Sequence, residues 1–422
     1  MTARVEADDG ALIYAHSKFR PTAEAEKLLD ALPPVEHPTF FIAGMGIGYV
    51  LPALERRFDR PLMIVAEDDL ALIKAALCTH ELTTPIRDGR LVFLTAADKS
   101  AVHRKLSARN ADLMLGFQLV ATPLARRYHA AFHEQIRNLL TDFVSYTKTQ
   151  FVTLMKTART SFRNAALNLP AYLDQPGIEA LHNRAAGYPA IIVSAGPSLA
   201  RNIEQLRRLQ DHAVIIAVQT VFRLLRSLDI RPHFVTSIDY HEISAEFFRD
   251  VGDVGKCALV ADAKATWLVP DRYAGAKYVL HHRFLDPLLR GRVRHGELRA
   301  GTTVAHLSFY LAEHLGCDPI AFVGQDLAFT EGMFYLPGSP IERIWRPELG
   351  RFQTVEMKQW ERIVRNRTIL RPIRDVHGRP TYTDDLLFTY REQFHNDIAA
   401  SPARVIQASE GGAELAGAEA LP

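Results

Sequence analysis

The residues best suited to chemistry begin at Ser194-Ala195-Gly196-Pro197-Ser198-Leu199, set between an apolar run, Ala190–Ser194, and an amphipathic stretch, Ala200–Leu209. Gly196 permits close backbone approach, and Pro197 suits a first helical position, where its missing N–H has no helical partner. Such a turn exposes backbone donors at a helix start, a cradle for phosphate to which the Ser194 and Ser198 hydroxyls can add hydrogen bonds. A glycine turn capped by serine is the plainer account of the same residues.

Other polar groups fall just after apolar runs. Gln219 follows Val214–Val218, Asp239 and His241 follow Phe234–Ile238, and Gln325 and Asp326 follow Ile320–Gly324. Asp239 and His241 are candidates for acid/base work, with a buried structural Asp as the alternative for Asp239. Asp326 is a further candidate of the same kind. Gly301-Thr302-Thr303 places two hydroxyl residues at a helix start, fit either for a nucleotide contact or for an ordinary N-cap.

Those residues converge only if the runs are parallel strands. From Thr39 the pattern alternates: strand Thr39–Ala43, helix near Tyr49–Arg57, strand Leu62–Ala66, helix near Leu70–Leu77, strand Leu91–Leu94. A second series runs from Ala190 through strands ending at Val218, Ile238, Ala261 and Val323 to Arg404–Gln407. Between the two series, Phe132, Ile136, Leu139, Leu140, Phe143, Phe151, Leu154 and Met155 recur at helical spacing. The fold class is therefore α/β, with two Rossmann-like doubly wound domains joined by a helical connector: 1–122, 123–185 and 186–422. Ligands of such sheets bind beyond the carboxyl ends of the strands, where the polar groups above belong. Gly411–Gly417 reads as a loose tail.

Composition narrows the partners. Fifty basic against forty-eight acidic side chains give a formal charge of +2, no field to draw the chain onto nucleic acid or lipid. Cys78, Cys257 and Cys317 lie far apart in apolar settings and read as buried free thiols. No apolar stretch approaches the ~18 residues of a membrane span, and Glu6, Asp8 and Asp9 near the start are unlike a signal peptide, so a cytoplasmic protein is expected. No His/Cys cluster has zinc spacing and no Asp-x-Asp follows a strand, which favours a metal-free mechanism. Gly44-x-Gly46-x-Gly48, with Glu67 about 20 residues on, is a weak dinucleotide signal, and no tightly bound cofactor is expected.

The motifs together resemble those of the motility accessory factors. Similar segments are Ser194–Leu199 with Asn202–Leu206, Thr236-Ser237-Ile238-Asp239, Phe322–Thr330, Thr381-Tyr382-Thr383-Asp384 and Glu410-Gly411-Gly412-Ala413. So are His16-Ser17-Lys18 with Pro21, and Gly44–Tyr49. That resemblance implies transfer of a nonulosonic acid, of pseudaminic or legionaminic type, from a CMP-activated donor to Ser or Thr of flagellin. It also implies a second domain resembling bacterial sialyltransferases, in which an Ala-Gly-Asn-Gly-Pro-Ser-Leu loop holds the CMP phosphate. Ser194–Leu199 fills that place here, without the extra Asn and Gly.

By the same likeness Gln219 stands where those enzymes put a donor-contacting amide, and Ala300-Gly301-Thr302-Thr303 where they contact the nucleotide. Their histidine base precedes a Thr-Asp pair, as His377 precedes Thr383-Asp384, although Gly378 also suits a hairpin turn. Archaeal 6-hydroxymethylpterin pyrophosphokinases share the Gly-Pro-Ser and Asp segments, so an ATP-dependent diphosphokinase is a rival. A flagellin-binding chaperone without turnover is another. Oligomeric state is not legible.

Overall fold

The structure is a computed structural model describing residues 2–34, 37–289, 295–299, 301–365 and 367–421. It is an α/β protein that divides into two compact units, 1–156 and 157–422. The expected separate connector, 123–185, is instead shared out. A 38-residue helix, Ala130–Leu167, runs through the division point. Its Ile136, Leu140 and Phe143 belong to the core of the first unit, while Ala165 packs with Tyr172, Ala263 and Val279 in the second. Helical periodicity signals a buried face but not whose core buries it. Phe151 and Met155 are exposed, and the Leu154 side chain lies outside the described residues.

In the first unit β1 (Arg4–Glu6) and β2 (Leu12–Tyr14) form an antiparallel ribbon. Strands β3 (Thr39–Ala43), β4 (Leu62–Ala66), β5 (Leu91–Leu94) and β6 (Gln118–Ala121) form a parallel sheet in the order β5-β4-β3-β6. All five residues of β3 and of β4 are buried, as parallel strands covered on both faces require.

The second unit holds β7 (Ala190–Val193), β8 (Val214–Val218), β9 (Phe234–Ser237), β10 (Ala258–Ala261), β11 (Lys277–Val279) and β12 (Ile320–Val323). After an antiparallel hairpin, β13 (Leu370–Arg374) and β14 (Pro380–Asp384), come β15 (Val405–Gln407) and β16 (Glu419–Ala420). The main sheet is parallel throughout, in the order β11-β10-β9-β8-β7-β12-β15-β16. The chain winds outward from β7 to β11 and then resumes on the other side of β7, so the switch point falls between β7 and β12. Helices Gln219–Ser227 and Val304–His314 connect the strands, the latter buried along eight of its residues.

Two expectations are corrected. Cys257 and Cys317 are buried thiols, but Cys78 is exposed, on the outer side of helix Leu70–Thr79. Gly411–Ala413 is no loose tail: all three residues are buried. Ala413 N–H donates to the Asp326 carbonyl at 2.6 Å, and Gln407 holds Leu415 N–H and the Ala413 carbonyl. Gly412 has φ +84°, and a Cβ there would lie 2.3 Å from Asp326 Cα. Gly412→Ala combines left-handed strain with overpacking against backbone, so we expect a loss of about 2–4 kcal/mol, read as a lower Tm.

Candidate functional site

Register fixes what reaches the carboxyl edge of the main sheet. Val193 stands opposite Ala217 and Val323, Val218 opposite Thr236, Ser237 opposite Ala261, and Phe322 opposite Gln407. Ser194, Gln219, Asp239, Asp262, Gln325 and Ser409 therefore all follow strand ends on one edge. They sort into clusters with different degrees of access.

The first cluster is closed. Ser194 Oγ donates to Gln325 Oε1 at 2.6 Å, and Gln325 N–H donates to Ser409 Oγ at 3.1 Å. Gly196 N–H donates to the Gly324 carbonyl at 2.9 Å. Ser198 N–H donates to Asp326 Oδ2 at 3.0 Å, while its hydroxyl donates to Oδ1. Pro197–Arg201 is a short 3₁₀ turn rather than the start of an α-helix, and the carboxylate of Asp326 sits at its amino end. A Cβ at Gly196 would stand 2.4 Å from the Gly324 oxygen and 2.5 Å from Asp326 Oδ1.

This corrects the phosphate cradle. The donors of Gly196 and Ser198 are already engaged, by the Gly324 carbonyl and the Asp326 carboxyl. Ser194, Pro197 and Ser198 are buried with it. Asp326 is 3% exposed, and burial raises its pKa. It accepts both Ser198 donors and so holds the turn. The close approach of two loops requires glycine at 196.

The second cluster is open. Gln219, wholly buried, donates from Nε2 to Asp239 Oδ2 at 2.6 Å and accepts from Ser237 Oγ at 2.6 Å. Its amide is thus spent on aiming Asp239, which corrects the expectation that it contacts a donor molecule. Asp239 itself is half-buried, and burial raises its pKa, opposed by the nearby His241 charge and by bonds from Ser244 and Gln219. His241 is exposed, stacked at a tilt on Tyr240 at 4.1 Å between centroids. Asp239 is a carboxylate of this edge that is both oriented and reachable; Asp262, also half-buried, is held by Lys264.

The remaining expected residues lie apart. Thr303 caps helix Val304–His314, accepting His306 N–H at 3.3 Å and facing His306 Nδ1 at 2.7 Å. Thr302 Oγ1 donates to Gln393, and Gly301 packs so closely on His306 that a Cβ would lie 2.7 Å from its Cβ. The N-cap account therefore holds for Thr303, and Ala300 lies outside the described residues. His377 is exposed in the β13–β14 turn beside Gly378, with Nε2 donating to the Glu410 carbonyl at 3.2 Å. That carbonyl, rather than a carboxylate, is the partner of its ring among the described residues.

Residues 330–369 supply what the pattern of strands did not announce. Leu336 N–H donates to the Ala195 carbonyl at 3.0 Å, so this segment covers the exit of β7. Gln359, on helix Val355–Arg365, accepts Phe334 N–H at 2.7 Å and Tyr335 N–H at 3.2 Å and donates to the Tyr335 carbonyl at 3.0 Å. One turn on, the Arg362 guanidinium lies 3.8 Å from the Phe334 ring centroid and 5.7 Å from that of Tyr335. Burial raises the Tyr335 pKa, with Arg362 and Asp239 both within electrostatic reach of its phenol. An amphipathic run at Val355–Arg365 was the available signal.

In the first unit the Gly44–Gly48 turn is also filled. His16 Nε2 accepts Ile47 N–H at 2.9 Å, and a Cβ at Gly46 would lie 2.5 Å from that nitrogen. Burial drives the His16 pKa down to about 4, so the ring stays a neutral acceptor. Glu67, fully buried, has its pKa pushed up to about 7 by burial. The two N-terminal motifs thus close on one another. His16→Ala should cost about 1–3 kcal/mol by stranding Ile47 N–H, measurable as a lower denaturation midpoint of the first unit.

A doubly wound parallel sheet with an oriented carboxylate at its carboxyl edge, two strands from the switch point, defines a Rossmann-like α/β protein with its crevice at that edge. Comparison with known proteins narrows this. Residues 163–332 match the family model described as 6-hydroxymethylpterin diphosphokinase MptE-like. An uncharacterized protein of Treponema pallidum (strain Nichols) is 27% identical over 201 residues, 47% of this chain and 68% of that one. The structure of the MAf glycosyltransferase from Magnetospirillum magneticum AMB-1 superposes with a TM-score of 0.61 at 16% identity, over 100% of this chain and 70% of that one. Residues 163–332 are thus similar to the MptE-like family, and the chain shares the fold of the MAf glycosyltransferase. The matched region includes Asp239 and Asp326 but ends before Gln359 and Arg362.

Proposed function

We propose that this chain is a cytoplasmic glycosyltransferase that moves a nonulosonic acid from a CMP-activated donor to Ser or Thr of flagellin, in support of motility. The fold shared with a MAf glycosyltransferase supports the reaction class. The observation that carries the proposal is Asp239: a half-buried carboxylate of raised pKa, aimed by Gln219 at the crevice. In the transfer, the acceptor hydroxyl oxygen attacks the anomeric carbon as the bond from that carbon to the CMP phosphate oxygen breaks. The hydroxyl proton passes to Asp239 and CMP departs with the bonding pair. His241, two residues on, lies close enough to modulate that carboxylate. The reaction so drawn uses no metal ion and no bound cofactor.

The test is incubation of unmodified flagellin with the protein and CMP-pseudaminic acid, read as a mass increase on flagellin. Modification supports transfer; binding without modification supports a flagellin chaperone. The MptE-like match favours a second reading, an ATP-dependent 6-hydroxymethylpterin-type diphosphokinase. CMP should raise the Tm, by about 2.7 kcal/mol of stabilisation at a hundredfold excess over Kd. Stabilisation by ATP with magnesium and none by CMP would favour the diphosphokinase instead.

A further inference from the structure

The cation that stands out near the crevice is Arg362. A cavity of about 320 Å³ is lined by Trp345, Lys358, Glu361, Arg362 and Arg365. Lys358 is bound by Glu348 and lies 3.3 Å from Glu361, and Glu361 also holds Arg365. Those two carboxylates thus offset two of the three cations. Arg362 has no carboxylate within ion-pair distance among the described residues, and its guanidinium lies 3.8 Å from the Phe334 ring centroid. A guanidinium set against an aromatic ring and bonded once to the Tyr335 phenol keeps further N–H donors for a two-pronged bond to a planar anion.

Its position links the cavity to the crevice. Arg362 lies three residues after Gln359, on the same face of helix Val355–Arg365, and Gln359 grips the backbone of Phe334 and Tyr335. Tyr335 feels both Arg362 and Asp239. Leu336, the next residue, is tied to the β7 exit. The cavity side chain Arg362 thus bonds a phenol on the segment tied to the β7 exit, with Trp345 in the cavity wall. Burial keeps that phenol protonated at neutral pH and so able to donate.

We propose that Arg362, with the Tyr335 hydroxyl, is the specificity-determining group for the carboxylate of the transferred sugar. This rests on the sugar-transfer reading above. Nucleotide phosphate is the other source of an anion, and the experiment separates the two. Calorimetric titrations of the full chain and of Arg362→Gln and Arg362→Lys would use CMP and, separately, CMP-N-acetylneuraminic acid as a carboxylated probe. Arg362→Gln should weaken the sugar nucleotide about 10- to 100-fold and leave CMP within about twofold, the loss expected for one charge-assisted contact. Arg362→Lys should fall between, retaining charge without the planar fork.

Equal weakening of both ligands would assign the guanidinium to phosphate and overturn the proposal, as would unchanged binding of both. A wild-type chain that binds neither ligand would overturn the sugar-transfer reading itself, and with it this subsite. Arg362 is exposed, so its variants should keep the wild-type Tm, which checks that a loss of affinity is not a loss of fold.

Discussion

Asp239→Asn is expected to lower the rate of sugar transfer by about 10²–10⁴-fold while leaving CMP binding in place. The amide keeps an oxygen to accept from Gln219 Nε2, so the loop geometry survives, but it cannot take the acceptor proton. The pH dependence has a definite sign. Burial raises the Asp239 pKa, so wild-type activity should rise with pH through a value above the usual carboxylate range, and the variant should lose that limb. Stability runs the other way. A folded pKa above the unfolded one favours the protonated form, so the contribution is present in acid and lost as pH rises through the folded value. At neutral pH the Asn variant should therefore be at least as stable as wild type. Transfer that persists in Asp239→Asn with an unchanged pH profile would remove Asp239 from the mechanism.

Asp326→Ala is expected to cost about 3–5 kcal/mol, lowering Tm by roughly 10 °C or more. Two buried donors, the Ser198 N–H and hydroxyl, lose their acceptor, and the space vacated lies beneath the packed backbones of Gly196 and Gly412. Asp326→Asn should cost far less, because the amide oxygen still accepts one bond and the Ser198 hydroxyl can turn to accept from the amide nitrogen. If Asp326 is a positioning residue, activity across the series Asp, Asn, Ala should follow Tm. Loss of transfer in Asp326→Asn at an unchanged Tm would instead place the carboxylate on the substrate.

These two aspartates show how far a site can be read from a chain. Both follow apolar runs, and both strands were visible, because fully buried parallel strands such as Val214–Val218 and Ile320–Val323 leave continuous apolar sequence. What separates them is a neighbour. Asp326 meets the Ser198 donors 128 residues away and is sealed beneath Gly412, whereas Asp239 meets Gln219 and stays half open. The closed turn at Ser194–Leu199 had a pattern that fits an anion site, and the acceptor it holds is the Asp326 side chain of this same protein.

The sequence by itself determined the alternation of strands and helices, and hence the parallel sheets and the edge on which the polar residues emerge, because side-chain burial repeats locally along the chain. Only the tertiary structure decided which of those residues face solvent. It also placed the 330–369 segment with Tyr335 and Arg362 over the edge, and packed Gly411–Ala413 inside rather than leaving it loose. Each of those outcomes depends on contacts between segments distant in sequence, where the free energy of a hydrogen bond or a close glycine approach is set by a partner that no local pattern encodes.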